Sequence, residues 1–319
     1  MKIEKCPGCL KPGFNSYCYK CKHKLFDTRK VNHLLNFSRN EFDEFKKENN
    51  NRVSLSGKQF KHTLKFNDNE LGLSADTGEF IIKPVPSEKF ENREHAPMNE
   101  HLTMQLAEQV YRINCAANAL IFFSDGEAAY ITKRFDIQSD NNKLLQEDFA
   151  QISGKTEEIN GKNYKFEFSY EEISELMKKY INAYAIEAEK FFKIIIFNYL
   201  FSNNDFHLKN ISIYRNEKYG DYLLTPFYDL SNTLIHFPEI KEPALKLFKD
   251  NIDANYTKQD LLEFSKRIGI SEKRFEIIFD NMISKSSRVE KLVSLSFLNE
   301  SLKIKYMESY TEKVNSLIT

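Results

Sequence analysis

The sequence predicts an α+β protein with two lobes, in which a small β-rich lobe with one helix precedes a larger helical lobe. Three observations predict it. Four of the five cysteines fall within the first 26 residues, short β-like runs dominate residues 52–136, and helical periodicity covers most of residues 137–319. A chain of 319 residues is long enough for about two lobes. We therefore expect a cysteine module over 1–26, a helix and linker over 27–51, and lobes over 52–136 and 137–319.

The cysteine module contains two C-x-x-C turns, Cys6 with Cys9 and Cys18 with Cys21, separated by eight residues. Each turn can bring two thiolates onto one ion, so the pattern predicts a structural, tetrahedral zinc knuckle. Four protein ligands leave no open position for catalysis. Disulfides or a redox pair are the alternatives, but a reducing cytosol disfavours disulfides and no strand-to-helix turn surrounds either pair. Cys115 stands among alanines and is expected to be a small buried residue.

The lobes are predicted from short elements with recognisable start signals. Ser38 and Glu41 form a capping-box pattern that opens a charged helix to about residue 48, and residues 49–51 end it. A helix over 98–111 interrupts β-like runs at 53–56, 63–66, 80–84, 119–123 and 128–132. Helical patterns then cover residues 170–180, 183–201, 258–267, 272–284 and 294–314.

The motif with the most chemical content is formed by Asp205, Asn210 and Asp229. Asp205 and Asn210 stand five positions apart, as do the catalytic Asp and the metal-binding Asn of the protein-kinase catalytic loop. Apolar runs at 211–214 and 222–227 predict a hairpin with Asn210 at one end and Asp229 at the other. For the motif alone, a polar loop is the alternative. Combined with the order of the lobes, the motif predicts a bilobal, protein-kinase-like fold that uses ATP. Asp205 would orient the attacking hydroxyl, and Asn210 and Asp229 would hold Mg²⁺.

Charge and hydropathy restrict the partners. Lys+Arg and Asp+Glu both number 46, so no global field attracts a phosphate backbone, and strong direct nucleic-acid binding is not expected. The longest apolar run, around 191–201, contains Lys193 and Asn198 and is too short to span a bilayer. The first residues lack the apolar core of a secretory signal. We expect a cytoplasmic protein without membrane contact.

Seven short segments between residue 53 and about residue 235 occur in a characteristic order. They are 54–59 with Lys61, 80–84, Asn99 and Glu100 with Leu106 and Ala107, 133–136, 146–148 with Gln151, 203–212, and 224–229. In this order they resemble the HipA family of bacterial serine/threonine toxin kinases, and the order is far more specific than any one segment. The two-serine form of residues 54–57 resembles the short HipT-type members, here with an added N-terminal zinc module.

The resemblance implies roles on the small lobe. Lys83 would contact the nucleotide phosphates and Glu100 would pair with it. An edge-strand lysine and a solvent-facing helix glutamate are the alternatives. Residues 133–136 would form the hinge that reads the adenine edge, beside Phe135, while Asp136 reaches the ribose. Core packing of Phe135 is compatible with that role.

On the large lobe, the resemblance implies that His207 and Lys209 lie near the phosphates. A loop-packing histidine and a surface lysine are the alternatives. Residues 146–148 are interpreted as structural support for the site. Ile137 stands where the family usually has an arginine after the hinge aspartate, so a contact by that side chain is not expected here.

Residues Ser54, Ser56 and Gly57 would form the phosphate loop, in which Ser56 and Gly57 approach the nucleotide. The family resemblance implies autophosphorylation at Ser54 or Ser56. Because a phosphoserine adds up to about two negative charges where ATP phosphates sit, we predict that this modification lowers activity. Undiminished activity of the Ser54→Asp, Ser56→Asp double variant would contradict this.

The predicted function is therefore that of a HipA-type serine/threonine kinase toxin, with ATP, Mg²⁺ and structural Zn²⁺. By resemblance, the protein substrate would be an aminoacyl-tRNA synthetase or a similar translation protein, and a DNA-binding antitoxin would be a partner. The family's N-terminal subdomain of roughly a hundred residues does not fit before Ser54, so a small separate protein, or the zinc module itself, would replace it. A silent pseudokinase or zinc adaptor, and a small-molecule kinase of the same fold, are the alternatives.

Overall fold

The computed structural model describes residues 2–49, 62–67, 70–75, 78–137, 143–218, 220–249 and 255–318. The predicted serine loop, with Ser54, Ser56 and Gly57, lies outside the described residues. Within them the chain has the predicted α+β, bilobal architecture. A five-stranded sheet with a helix packed against it forms the small lobe, and helices with a three-stranded sheet form the large lobe.

The small lobe is built on an antiparallel sheet. Its strands are His62–Asn67 (β1), Glu70–Ser74 (β2), Phe80–Pro84 (β3), Asn118–Phe122 (β4) and Ala128–Lys133 (β5), in the order β2-β1-β3-β5-β4. The predicted runs at 63–66, 80–84, 119–123 and 128–132 are confirmed as strands. Strand β2 was not predicted, and it pairs with β1 from Thr63↔Ser74 to Asn67↔Glu70.

Three helices accompany this sheet: Tyr19–Phe26 (α1), Arg39–Asn49 (α2) and Ala96–Gln105 (α3). The predicted capping box at α2 is present, since Ser38 N–H donates to Glu41 at 2.6 Å and Glu41 N–H donates to the Ser38 hydroxyl at 3.3 Å. Helix α3 packs against β4 and β5 and continues through one π-helical turn, Leu106–Val110. Together they match the helix predicted over 98–111.

The N-terminal residues complete the small lobe. The Leu35 N–H donates to the Phe122 carbonyl of β4, and the Phe122 N–H donates to the His33 carbonyl, both at 2.8 Å. The β4 edge of the sheet is therefore covered by backbone at this point. Aromatic and aliphatic residues of the module and the sheet share one core: Tyr17, Leu25, Phe26, Leu35, Phe42, Leu64, Phe80, Ile82, Ile121, Phe123 and Ile131. The cysteine module is therefore packed into the small lobe.

The large lobe is organised around a buried helix, Tyr184–Leu200 (α7), in which most side chains are inaccessible. The other helices are Phe149–Ile152 (α4), Glu157–Asn160 (α5), Tyr170–Tyr180 (α6), Lys258–Arg267 (α8), Glu272–Ile283 (α9), Ser286–Ser294 (α10) and Glu300–Ile318 (α11). The second sheet contains Gln146–Asp148 (β6), Ser212–Asn216 (β7) and Asp221–Leu224 (β8) in that order. Within the described ranges, no helix is both long and apolar enough to cross a membrane.

The end of the chain differs from the predicted single helix over 294–314. Helix α10 ends at Ser294, and α11 begins at Glu300. The new start is capped by Asn299, whose side chain accepts from the Leu302 N–H at 2.9 Å. Apolar residues lie on both sides of the break, so the apolar periodicity of the sequence does not indicate that one helix ends and another begins there.

Candidate active site

Lys83 lies at the centre of the cleft between the lobes. It points from β3, opposite Tyr130 of β5, and is 5% exposed. Its Nζ lies 2.6 Å from Glu100 Oε1 on α3 and also binds Asp229 Oδ1 of the large lobe. Burial alone would lower the pKa of Lys83, but Asp229 and Glu100 outweigh it and the net pKa is raised. Lys83 is therefore a buried ammonium shared between two carboxylates from different lobes.

Asn99, the residue before Glu100, fixes α3 to the large lobe. Its amide donates to the Asn232 carbonyl at 2.8 Å, and Asn232 N–H donates back to Asn99 Oδ1 at 3.2 Å. Both side chains are fully buried. Since Asn232 lies three residues after Asp229, this reciprocal pair holds the two carboxylate-bearing segments together.

The predicted hairpin is confirmed as β7 and β8, paired from Ile213↔Leu224 to Asn216↔Asp221. Asn210 and Asp229 both lie beyond the open end of this hairpin. The amide nitrogen of Asn210 donates to the Asp205 carbonyl at 2.9 Å, so the amide oxygen is the atom of this side chain that can bind a cation. Amide and carboxylate oxygens are suitable Mg²⁺ ligands, so the donor set fits that ion.

Asp229 has an unusual backbone. Its φ of 61° lies in the left-handed region, which a non-glycine residue rarely adopts. Such conformations cluster at functional sites, where the surrounding structure holds the residue against local strain. Here the hydrogen bonds from Lys83 and the Asn99–Asn232 pair supply that support.

Asp205 and His207 are accompanied by Lys165, a residue that the sequence analysis missed. Lys165 Nζ lies 2.7 Å from His207 Nε2 and 3.9 Å from Asp205 Oδ1. Because an ammonium can only donate, His207 accepts this bond and is neutral. Burial, and then the charge of Lys165, lower the pKa of His207 to about 3. Lys165 is thus a cation beside Asp205. No motif in the segment around Lys165 predicts this contact.

The hinge residues are placed as follows. Phe135 is half-buried and its ring centroid lies 5.9 Å from that of Tyr228, next to Asp229. Asp136 accepts two hydrogen bonds from the Arg134 guanidinium, at 3.0 and 2.6 Å. Phe135 therefore packs at the lobe junction, while the Asp136 carboxylate is engaged by its neighbour Arg134.

Two further predicted positions concern the large lobe. Asp148 and Gln151 form a capping box at α4, and Asp148 pairs with Ser212 at the start of β7, in keeping with structural support. Lys209 is half-buried in the loop between Asp205 and Asn210, where its carbonyl accepts from the Tyr228 hydroxyl at 3.1 Å.

The four clustered cysteines have the geometry of a zinc knuckle. The Sγ atoms of Cys6, Cys9, Cys18 and Cys21 all lie within 4.8 Å of one another, and those of Cys9 and Cys18 are 3.7 Å apart. A tetrahedral ion with Zn–S bonds of about 2.3 Å requires a separation of about 3.8 Å. All five cysteines are in the described part of the chain, and none forms a disulfide.

The sequence matches a family model described as the HipA-like C-terminal domain over residues 53–289, most of the chain. The chain belongs to this HipA-like family. The match covers the elements that carry Lys83, Glu100, Asp205, Asn210 and Asp229, whereas the cysteine module lies before it.

Curated relatives of this HipA-like chain carry kinase names. A protein of Haemophilus influenzae named "Putative kinase" is 27% identical over 92% of this chain and 91% of its own length. "Putative kinase Y4dM" of Sinorhizobium fredii is 26% identical over 70% of this chain, but this chain spans only 55% of it.

Two solved structures share the HipA-like fold. HipA of Shewanella oneidensis, determined in a complex with HipB and operator DNA, matches with a TM-score of 0.64 and 22% identity, over 84% of this chain and 65% of its own. The Helicobacter pylori proinflammatory kinase CtkA matches with a TM-score of 0.57 and 14% identity, over 83% of this chain and 91% of its own. The bilobal kinase fold is thus shown, with the cysteine module as an addition to the matched family domain.

Proposed function

We propose that this HipA-like protein is an ATP-dependent kinase that transfers the γ-phosphoryl group to a hydroxyl. The observation that carries the proposal is Lys83, a buried ammonium bound by Glu100 on α3 and Asp229 on the opposite lobe. The strand lysine, helix glutamate and metal-binding aspartate of protein kinases have the same relationship. A purely structural role does not favour such a charged cluster, because burying Lys83 and Glu100 beside a partly buried Asp229 is costly.

Each residue has a proposed task. Lys83 binds nucleotide phosphates, Asn210 and Asp229 hold Mg²⁺, and Asp205 orients the attacking hydroxyl and accepts its proton. When bound, Mg²⁺ neutralises charge on the phosphates. The exposed carboxylate of Asp205, with 57% of its side chain accessible, is suited to meet a hydroxyl from another molecule.

Lys165 is proposed to assist on the large lobe. Its ammonium lies beside both His207 and Asp205, whose Nε2 and Oδ1 atoms are themselves 3.6 Å apart, and it is partly accessible. In this position it stabilises negative charge that develops on the transferred group, and His207 orients it. Lys165 thus takes the phosphate-contacting role that the family resemblance implied for His207.

Labelled ATP tests the proposal. Incubation with Mg²⁺ and γ-labelled ATP is expected to label the protein itself or an added hydroxyl-bearing substrate. Asp205→Asn should lower transfer by at least about a hundredfold, because it removes the general base while keeping the shape of the side chain. Asp280→Asn, an exposed position on α9, is the matched control and should retain activity. ATP binding without transfer by the wild-type protein would instead support a silent pseudokinase.

The finer parts of the function rest on the family. We propose serine/threonine specificity, autophosphorylation at Ser54 or Ser56, and a cytoplasmic toxin role with a DNA-binding antitoxin as partner. The likeness to a HipA chain solved with HipB and DNA supports the antitoxin. An aminoacyl-tRNA synthetase or a similar translation protein is the proposed substrate. Comparing phosphopeptides after brief induction of wild type and Asp229→Ala would identify it, and identical phosphopeptide sets would refute the assignment.

A further inference from the structure

The first C-x-x-C turn is docked on the small lobe through three consecutive carbonyl groups. The Pro7 carbonyl accepts from Leu120 N–H of β4 at 2.9 Å. The Gly8 carbonyl lies 2.8 Å from His101 Nε2 on α3, and the Cys9 carbonyl accepts from the Gln109 amide in the π turn at 3.1 Å. Because a carbonyl can only accept, His101 is the donor in its pair. The turn is thus attached to the sheet and at two points to the helix region.

The second knuckle contacts the same helix region, at the π turn that also holds Gln109. Cys21 lies on α1, and Lys24 of that helix forms an ion pair with Glu108 in the π turn. The π-helical irregularity at Leu106–Val110 coincides with the contacts of Glu108 and Gln109 to the module. Such bulges are frequent at functional sites.

The cysteine cluster lies directly against the docked turn. A Cβ atom placed on Gly8 would be 2.6 Å from Cys21 Sγ, so only glycine allows the backbone to pass this close to the cluster. Cys18 N–H also donates to Cys6 Sγ at 3.2 Å. A change in the spacing of the four sulfur atoms must therefore move the carbonyls of residues 7–9.

The contact with His101 is adjacent to the candidate active site. Asn99, Glu100 and His101 are consecutive and buried, and they bind Asn232, Lys83 and Gly8, respectively. His101 is 1% exposed, so the loss of its partner would leave a buried donor unsatisfied. Displacement of His101 would displace Glu100 with it.

We propose that the cysteine module is a metal-dependent clamp on α3. Zinc bound by Cys6, Cys9, Cys18 and Cys21 fixes the turn at residues 7–9, which holds α3 and keeps Glu100 against Lys83. ATP affinity therefore depends on an ion bound outside the nucleotide cleft. Metal binding supplies folding free energy to small modules of this kind. Loss of the ion would therefore destabilise the module and weaken its contacts with α3. The ATP readout rests on the proposed kinase function, whereas the helix readout does not.

Hydrogen exchange and ATP titration of the full chain test the clamp. Removal of zinc with a chelator is expected to lower the protection of residues 96–110 and to raise the Kd for ATP by roughly tenfold, and added Zn²⁺ should restore both. Protection of the buried helix α7 should persist. Unchanged protection of 96–110 with unchanged ATP affinity would overturn the proposal. So would simultaneous loss of protection in α7, because the ion would then support the whole fold, and so would a chain that binds no zinc.

Substitutions separate the clamp from the metal itself. His101→Phe and Gln109→Met remove the donors but keep similar volumes, so the chain should retain zinc while ATP binding weakens. Cys9→Ser should lose zinc, and Cys115→Ala, outside the cluster, should retain zinc and ATP affinity. Normal ATP affinity in both donor variants would overturn the clamp. Zinc-dependent ATP binding without phosphoryl transfer would refute the proposed function and leave the clamp standing.

Discussion

At the scale of single residues, the site pairs one cation with each key carboxylate. Lys83 lies with Asp229, and Lys165 with Asp205. The sequence motif identified both aspartates and the family resemblance identified Lys83. Lys165 was missed because its position depends on how the segment between α5 and α6 folds over the catalytic loop. A spacing rule finds residues close in sequence, whereas the contact of Lys165 with His207 joins residues 42 positions apart.

Lys165→Met should lower kcat by roughly tenfold, less than the loss of about a hundredfold typical of an enclosed donor, because Lys165 is partly solvated. The Kd for ATP should change little. Steady-state kinetics of the variant should be compared with Lys162→Met, an exposed lysine in the same segment. Equal kcat values for the two variants would contradict a role for Lys165 at the transferred group.

At the scale of elements, α3 connects the module, the sheet and the large lobe. Apolar spacing predicted the helix over 98–111, but not its start at Ala96 or its buried polar face. Asn99 belongs to one of the family segments and His101 does not, but in neither case does the sequence indicate the partner that the fold supplies. The same reason explains β6, whose three residues form a strand only because β7 lies beside them.

Asn99→Ala should lower the free energy of unfolding by about 1–3 kcal/mol, because it removes a reciprocal, fully buried pair of hydrogen bonds. Chemical denaturation would measure the change. Asn40→Ala on the exposed face of α2 is the control and should stay within about 0.5 kcal/mol of wild type. An equal loss of unfolding free energy in both variants would show that the buried hydrogen bonds of Asn99 contribute no more to stability than an exposed side chain does.

At the scale of the whole molecule, several histidines are buried in neutral form. The pKa values of His207, His62 and His236 are lowered, in each case chiefly by burial. One ring nitrogen of each is buried without a hydrogen-bond partner in the part of the chain that the structure describes. Protonation would therefore place a poorly compensated charge in the interior.

Acid should destabilise the protein before its carboxylates titrate. The unfolded state takes up protons on these histidines below the ordinary pKa of 6.5, while folded His207 resists until about pH 3, so stability falls as the pH drops from 6.5 towards 4. Thermal unfolding across this range would measure the effect. His207→Gln should show a shallower decline than wild type. An unchanged slope would exclude His207 as a contributor.

The first and last parts of the described chain are joined directly. Lys5 donates to the Ser296 carbonyl at 2.8 Å, across 291 positions, and lies 4.5 Å from the centre of the Phe297 ring. The lysine of the cleft meets its second carboxylate across 146 positions. During synthesis, therefore, the small lobe emerges from the ribosome long before either contact can form. A nascent chain therefore lacks the contact between Lys83 and Asp229 until the segment with Asp229 emerges, and the contacts of Lys5 form only after residue 297. The candidate site is thus incomplete until most of the chain has been made.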